Sequence, residues 1–160
     1  MKALKVTHSA TEPTITMTRI LNAPAALVWK AWTEPQHIRR WYSNGTAKVV
    51  EHDFRVGGRW RYEDTDQDGH VWAFAGKFVE IAPTHRLVNT FGVVGMFDGA
   101  ELTETHTFED MGDGRTHYTS VSVFDTMEAR DGMLQSGMED GADTSMDRLD
   151  ALLQELKVEA

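Results

Sequence analysis

The chain has 160 residues, 41% of them hydrophobic and 26% charged, a composition that suits a folded domain large enough to bury a core. Its net charge of −9 argues against a phosphate-tracking surface, so nucleic acid and anionic membranes are disfavoured as partners. There is no cysteine, which removes disulfides, thiolate nucleophiles and cysteine metal sites, and no apolar run approaches the length of a membrane span.

Residues 1–13 are predicted to be a flexible arm ending at Pro13. The opening stretch MKALKVTHSATEPT has no continuous apolar core and no cleavage pattern, which predicts a cytoplasmic chain rather than a secreted one. Thr14 to Asn22, TITMTRILN, alternates and is rich in β-branched residues, so it reads as the first strand. Pro24 suits a first helical turn, and Leu27, Val28, Ala31 and Trp32 form one apolar helical face. Thr33 and Gln36 have the spacing of a capping box, which predicts a second short helix ending near Trp41.

From residue 46 the pattern changes to hairpins. Six strands are predicted at 46–54, 59–64, 71–81, 86–93, 101–110 and 116–124, separated by glycine-rich, aspartate-rich and proline turns. Asp125 or Thr126 is placed to cap one long final helix, along which Met138, Ala142, Met146, Leu149, Leu153 and Leu156 mark a single apolar face. Gly137 and Gly141 fall inside that helix, where each costs about 1 kcal/mol relative to alanine. The order is one strand, two short helices, six strands and one long helix, in a single domain over residues 14–157. It predicts an α+β fold in which a curved antiparallel sheet of about seven strands wraps around the C-terminal helix. The space between a curled sheet and one helix is easily left incompletely filled.

The aromatic residues point to such a space. Trp60 and Tyr62 share one strand face, and Trp72, Phe74 and Phe78 share a face of the next strand. Trp41, Phe54, Phe91 and Phe97 extend this inner surface, and Met96, Met133, Met138 and Met146 add adaptable contacts. Facing a helix that carries Gly137, Gly141 and Ala142, these walls predict a ligand pocket, with His106 as an inward polar group.

No motif for a particular chemistry is complete. Asp64, Asp66, Asp68 and Gly69 have the spacing that opens a calcium loop, but the twelfth position is Ala75, so a solvated hairpin turn is expected. The glycines of RVGGRW lack phosphate-loop spacing and read as a turn or bulge. The seven histidines show no metal-ligand spacing, although a turn centred near residue 112 would set His106 opposite His117. There is no nucleophile elbow, and Glu63, Glu80, Glu101 and Glu104 are strand acids able to act as general acids only if buried. No catalytic residue, metal or cofactor is assigned.

Four stretches, APAALVWKAWTEPQHIRRWY, DFRVGGRWRY, GKFVEIAPTHRLVNTF and SGMEDGADTSMDRLDALL, together resemble the activator of heat-shock-protein-90 ATPase homologue family. The resemblance runs from about residue 14 to residue 156 and implies a helix-grip fold of the START-like, or SRPBCC, superfamily. It implies a deep apolar cavity for a small hydrophobic or amphipathic molecule, in a branch with no shared catalytic set. The family commonly has Gly-Trp where this chain has Gly141-Ala142, a loss of bulk that favours a hollow beneath the helix over close packing. Two alternatives follow: a cochaperone-like module that binds a chaperone, or a cyclase, dehydratase or hydrolase using a cavity group such as His106 or Glu104. A monomer or a homodimer fits either.

Overall fold

In the computed structural model, which describes residues 3–96 and 99–159, the chain begins with a strand that the sequence does not predict. This strand, β1 (Lys5–His8), pairs antiparallel with β2 (Thr14–Leu21), setting Lys5 opposite Thr18. The segment expected as a loose arm is therefore held on the sheet edge. Leu4 is buried in the core, and the buried Arg130 guanidinium donates to the carbonyls of Ser9, Glu12 and Thr14 at 2.7, 3.0 and 3.2 Å. Four residues are too short a run for alternation to be read, and the arginine that holds the connection after them lies more than a hundred residues away.

Helices α1 (Ala25–Thr33) and α2 (Pro35–Trp41) follow as expected, but their ends are built differently. Pro24 stands at the cap of α1, and the Ala25 N–H is satisfied by the Asp110 carboxylate at 3.0 Å. The Thr33 hydroxyl donates back to the Trp29 carbonyl at 2.7 Å, so it closes α1 instead of capping α2. Glu34 takes the cap position of α2 with no side-chain cap bond, and Pro35 fixes the first turn.

The six hairpin strands are β3 (Lys48–His52), β4 (Arg59–Thr65), β5 (Val71–Ala82), β6 (Arg86–Val93), β7 (Leu102–Asp110) and β8 (Thr116–Val123). With β1 and β2 they form one antiparallel sheet of eight strands in the order β1-β2-β8-β7-β6-β5-β4-β3, one strand more than expected. Register shifts in β3 between Val49 and Glu51, and in β5 between Phe78 and Glu80, mark bulges of the kind that bend a sheet. Phe97 lies outside the described residues.

The predicted final helix is two helices. Thr126 caps α3 (Met127–Gln135), its hydroxyl accepting from the Ala129 N–H at 3.0 Å. Gly137, at φ +83°, then ends α3 in the left-handed region before α4 (Met138–Glu159) begins. A helical apolar period continues across this break, which is why the sequence reads as one helix. Among the described residues no helix is long and apolar enough to cross a membrane.

Helix α4 is fixed along its C-terminal half. Leu149, Leu152, Leu153 and Leu156 are buried, each side chain contributing about 1.5–3 kcal/mol. Polar ties fasten the same helix to its surroundings: Ser145 donates to the Trp41 carbonyl at 2.7 Å and Arg148 to the Ser43 carbonyl at 2.6 Å. Arg19 of β2 reaches Asp147 at 2.8 Å, and Asp150 accepts from the Asn22 N–H at 3.1 Å.

The two glycines of this region have opposite expected behaviour. A β-carbon on Gly141 would meet nothing within 4 Å, whereas Gly137 needs its left-handed backbone. Gly141→Ala is expected to stabilise the protein by about 0.5–1 kcal/mol and Gly137→Ala to destabilise it by about 1 kcal/mol or more. Urea unfolding of both variants checks this, and a loss of stability at position 141 would show that the helix needs the missing side chain there.

Candidate functional site

Strand register decides what the sheet presents to α4. Asn89, Glu104 and Ser122 are neighbours across β6, β7 and β8, and Leu87, His106 and Ser120 form the adjacent row. Helix α4 faces these rows with Met138, Gly141, Ala142, Ser145 and Met146, leaving a cavity of about 460 Å³. Trp60 and Tyr62 of β4, Phe74 and Phe78 of β5 and Phe91 of β6 form one wall, and Trp32, Trp41 and Tyr42 form the wall beside α1 and α2. The Trp32 ring lies 4.7 Å from Trp41, 4.8 Å from Tyr118 and 5.1 Å from His106, so it ties the aromatic wall to the polar row.

Eleven of the fifteen expected pocket residues line the cavity. Trp41, Trp60, Tyr62, Phe74, Phe78, Phe91, His106, Met133, Met138, Gly141 and Ala142 border the cavity, and four other expected residues do not. Phe54 packs in the adjoining core, its ring 5.0 Å from Phe78 and 6.3 Å from Trp29. Trp72 stands at the β4–β5 turn, where its indole N–H donates to Asp66 at 2.9 Å. Met96 is on the exposed turn after β6, and Gly137 sits at the α3–α4 break. Residues that pattern reasoning did not assign to the pocket include Trp32, Tyr42, Asn89 and Tyr118. Tyr118 alternates with Ser120 and Ser122, and only the pairing with Glu104 and His106 shows that this face is the inner one.

Polar groups form one line across the floor of the cavity. Burial pushes the Tyr118 hydroxyl well above its usual value, and the nearby Glu104 adds to this, so the phenol keeps its proton. Its oxygen lies 2.7 Å from His106 Nδ1, and Nε2 of the same ring lies 3.6 Å from Glu104 Oε1; with the imidazole proton on Nε2, facing the carboxylate, the phenol donates to Nδ1. The same Glu104 oxygen accepts from Asn89 Nδ2 at 3.1 Å. The Tyr42 hydroxyl is likewise raised, first by burial and then by Glu104. Neither Glu104 Oε2 nor the Tyr42 hydroxyl has a hydrogen-bond partner among the described residues.

The remaining candidate groups are placed otherwise. Asp66 accepts from the N–H groups of Asp68 and His70, both at 2.9 Å, and so closes the β4–β5 turn. Asp64 instead accepts from the Thr46 hydroxyl at 2.6 Å and the Asn44 N–H at 3.1 Å. His106 pairs across the strands with Ser120 and His117 with Glu109, so the two histidines are not opposite each other. Among the described residues no cluster of three or more His, Asp or Glu could hold a metal ion.

An eight-stranded antiparallel sheet closed over a long C-terminal helix, with an apolar cavity between them, defines a helix-grip, START-like domain. Residues 22–154 match the family described as Activator of Hsp90 ATPase homolog 1-like protein, and the chain belongs to that family. Among solved structures it is similar to protein Ms6760 from Mycobacterium smegmatis, with 28% identity, a TM-score of 0.84, and 95% of this chain and 98% of that one covered. A protein from Arthrobacter aurescens matches at 25% identity and a TM-score of 0.85, over 94% of this chain and 91% of that one. A Rhodobacter sphaeroides protein at 21% identity, with a TM-score of 0.83 over 96% and 99% of the two chains, shares the fold. No curated protein matches the sequence.

His52 braces one cavity wall from behind. Its Nε2–H donates to the Thr33 carbonyl at 2.8 Å, and Nδ1 accepts from the Tyr62 hydroxyl at 3.0 Å. Burial lowers the imidazole below its usual value, partly offset by the Thr33 carbonyl. The unfolded chain then takes up this proton first as pH falls, so stability is full above the unfolded value and declines below it. Urea midpoints measured between about pH 8 and pH 5 are expected to fall below about pH 6.5, more steeply for the wild type than for His52→Gln. Identical slopes in the two proteins would remove His52 as the cause.

Proposed function

We propose that the protein binds a small hydrophobic or amphipathic molecule in the cavity between the sheet and α4. The observation that carries this reading is the hollow itself. At about 460 Å³ it is within the range of small-molecule sites, and its walls are mainly aromatic and aliphatic with a few convergent polar groups. It persists because, between Met138 and Ser145, the helix offers the cavity only a hydrogen atom at Gly141 and a methyl group at Ala142. Trp41, Trp60, Phe74, Phe91, Met138 and Ala142 are the contacts we assign to the apolar part of the ligand.

The test is to fill the space. Ala142→Trp is expected to keep the circular dichroism spectrum and cooperative unfolding of the wild type while lowering affinity for a neutral apolar probe such as Nile red by about tenfold or more. Unchanged probe binding in a folded variant would place the ligand elsewhere or nowhere.

A second reading, acid–base catalysis of the cyclase, dehydratase or hydrolase type, is favoured by one observation. Tyr118, His106 and Glu104 form a line along which protons are already positioned, ending at a carboxylate oxygen with no partner. It predicts that a ligand captured from host extract by Glu104→Gln is chemically altered after incubation with the wild type. Recovery of the same compound from both proteins removes this reading.

A further inference from the structure

The cavity has a pronounced charge asymmetry. Of the described residues that line it, Glu104 is the one carboxylate, and neither Lys nor Arg is among them. Its Oε1 is occupied by Asn89 and faces His106, while Oε2 has no hydrogen-bond partner among the described residues although the side chain is only 21% exposed. Tyr42, whose hydroxyl also lacks a partner among the described residues, contributes to the same lining. The acids Glu139 and Asp140 stand on the first turn of α4 next to Met138, which lines the cavity. An anionic head group brought into this space would meet a carboxylate in a medium of low polarity with no Lys or Arg in the described lining to neutralise it.

We propose that the ligand is an amphipathic amine: an apolar body against the aromatic wall and α4, and an ammonium group donating to Glu104 Oε2 and the Tyr42 hydroxyl oxygen. Both oxygens accept, and an ammonium has three N–H donors to distribute between them. The His106 Nε2–H points at the other carboxylate oxygen, so Tyr118 and His106 position Glu104 and do not compete for the ligand. The inference rests on the cavity-binding reading above and adds its head-group chemistry. A fatty acid or a phospholipid would place its negative head against the same carboxylate, which is why the lining disfavours those ligands.

Decylamine, decanol and decanoate share one chain length and differ in head group, so isothermal titration of each below its micellar concentration separates the two readings. Near neutral pH the amine is expected to bind about tenfold or more tighter than decanoate, with decanol between them. In Glu104→Gln, which keeps the side-chain volume, the amine-to-acid ratio is expected to fall to about one to three while decanol binding is retained. If decanol binds but decanoate binds as tightly as the amine, the head-group inference is overturned and the cavity reading stands. An unchanged amine-to-acid ratio in a folded Glu104→Gln also overturns it, and the wild-type ranking alone decides if that variant does not fold. If none of the three binds, the cavity reading itself fails.

Discussion

Leu149, Leu152, Leu153 and Leu156 fix the C-terminal half of α4, while the other half is held at Asp143, Ser145 and Met146 and lines the hollow with Met138, Gly141 and Ala142. A helix held at both ends of its apolar stripe would settle until the space beneath it was filled, because an empty apolar volume forgoes contact energy. Here the leucines, the Ser145 tie to the last residue of α2, the Arg148 tie to Ser43 just after it, and the Arg19–Asp147 pair set the height of the helix. Residues 138–146 then cross the concave face with methionines, Gly141 and Ala142, side chains too small or too flexible to close the distance. The hollow is thus a property of a single helix whose two halves carry different side chains.

The same logic explains the position of the break before α4. Gly137 lets the chain turn between α3 and α4, so α3 contributes only Met133 to the lining. Helix α3 is in turn tied to the β1–β2 connection through Arg130, whose guanidinium meets the carbonyls of Ser9 and Glu12 and that of Thr14 at the start of β2. Hydrogen bonds from a charged donor of this kind are worth about 1.5–3 kcal/mol, enough to hold an amphipathic helix that buries little else.

The architecture was legible because strand alternation and turn chemistry are local. Each hairpin between β3 and β8 is bounded by residues such as Asp66, Gly69 and Gly112, whose conformations or side-chain bonds end a strand regardless of what lies across the sheet. What was not legible depends on distant partners. Strand β1 exists because β2 offers an edge and Arg130 holds the connection, and Thr33 is drawn away from capping α2 by the Trp29 carbonyl. In the cavity, Phe74 and Phe78 were found by alternation, yet Trp72 shares their face without reaching the hollow, because Asp66 holds its indole at the turn. Asn89 and Tyr118 required the register of β6, β7 and β8, which no single strand encodes.

The polar row is the part of the site that packing does not explain. A floor of Leu or Val at positions 89, 104 and 106 would suit an eight-stranded sheet facing an apolar helix, and it would avoid the cost of removing Asn, Glu and His from water. Instead each group is partly satisfied by its neighbour: Tyr118 holds the His106 tautomer, His106 and Asn89 both face Glu104 Oε1, and Oε2 is left over. In a core that is otherwise consistent from propensity through packing, a local departure of this kind is where function is expected to lie. An arrangement that satisfied every atom internally would need no ligand. One that orients a carboxylate by two neighbours, one of them held by Tyr118, and leaves an acceptor toward an apolar hollow suits the proposed donor group on an apolar body.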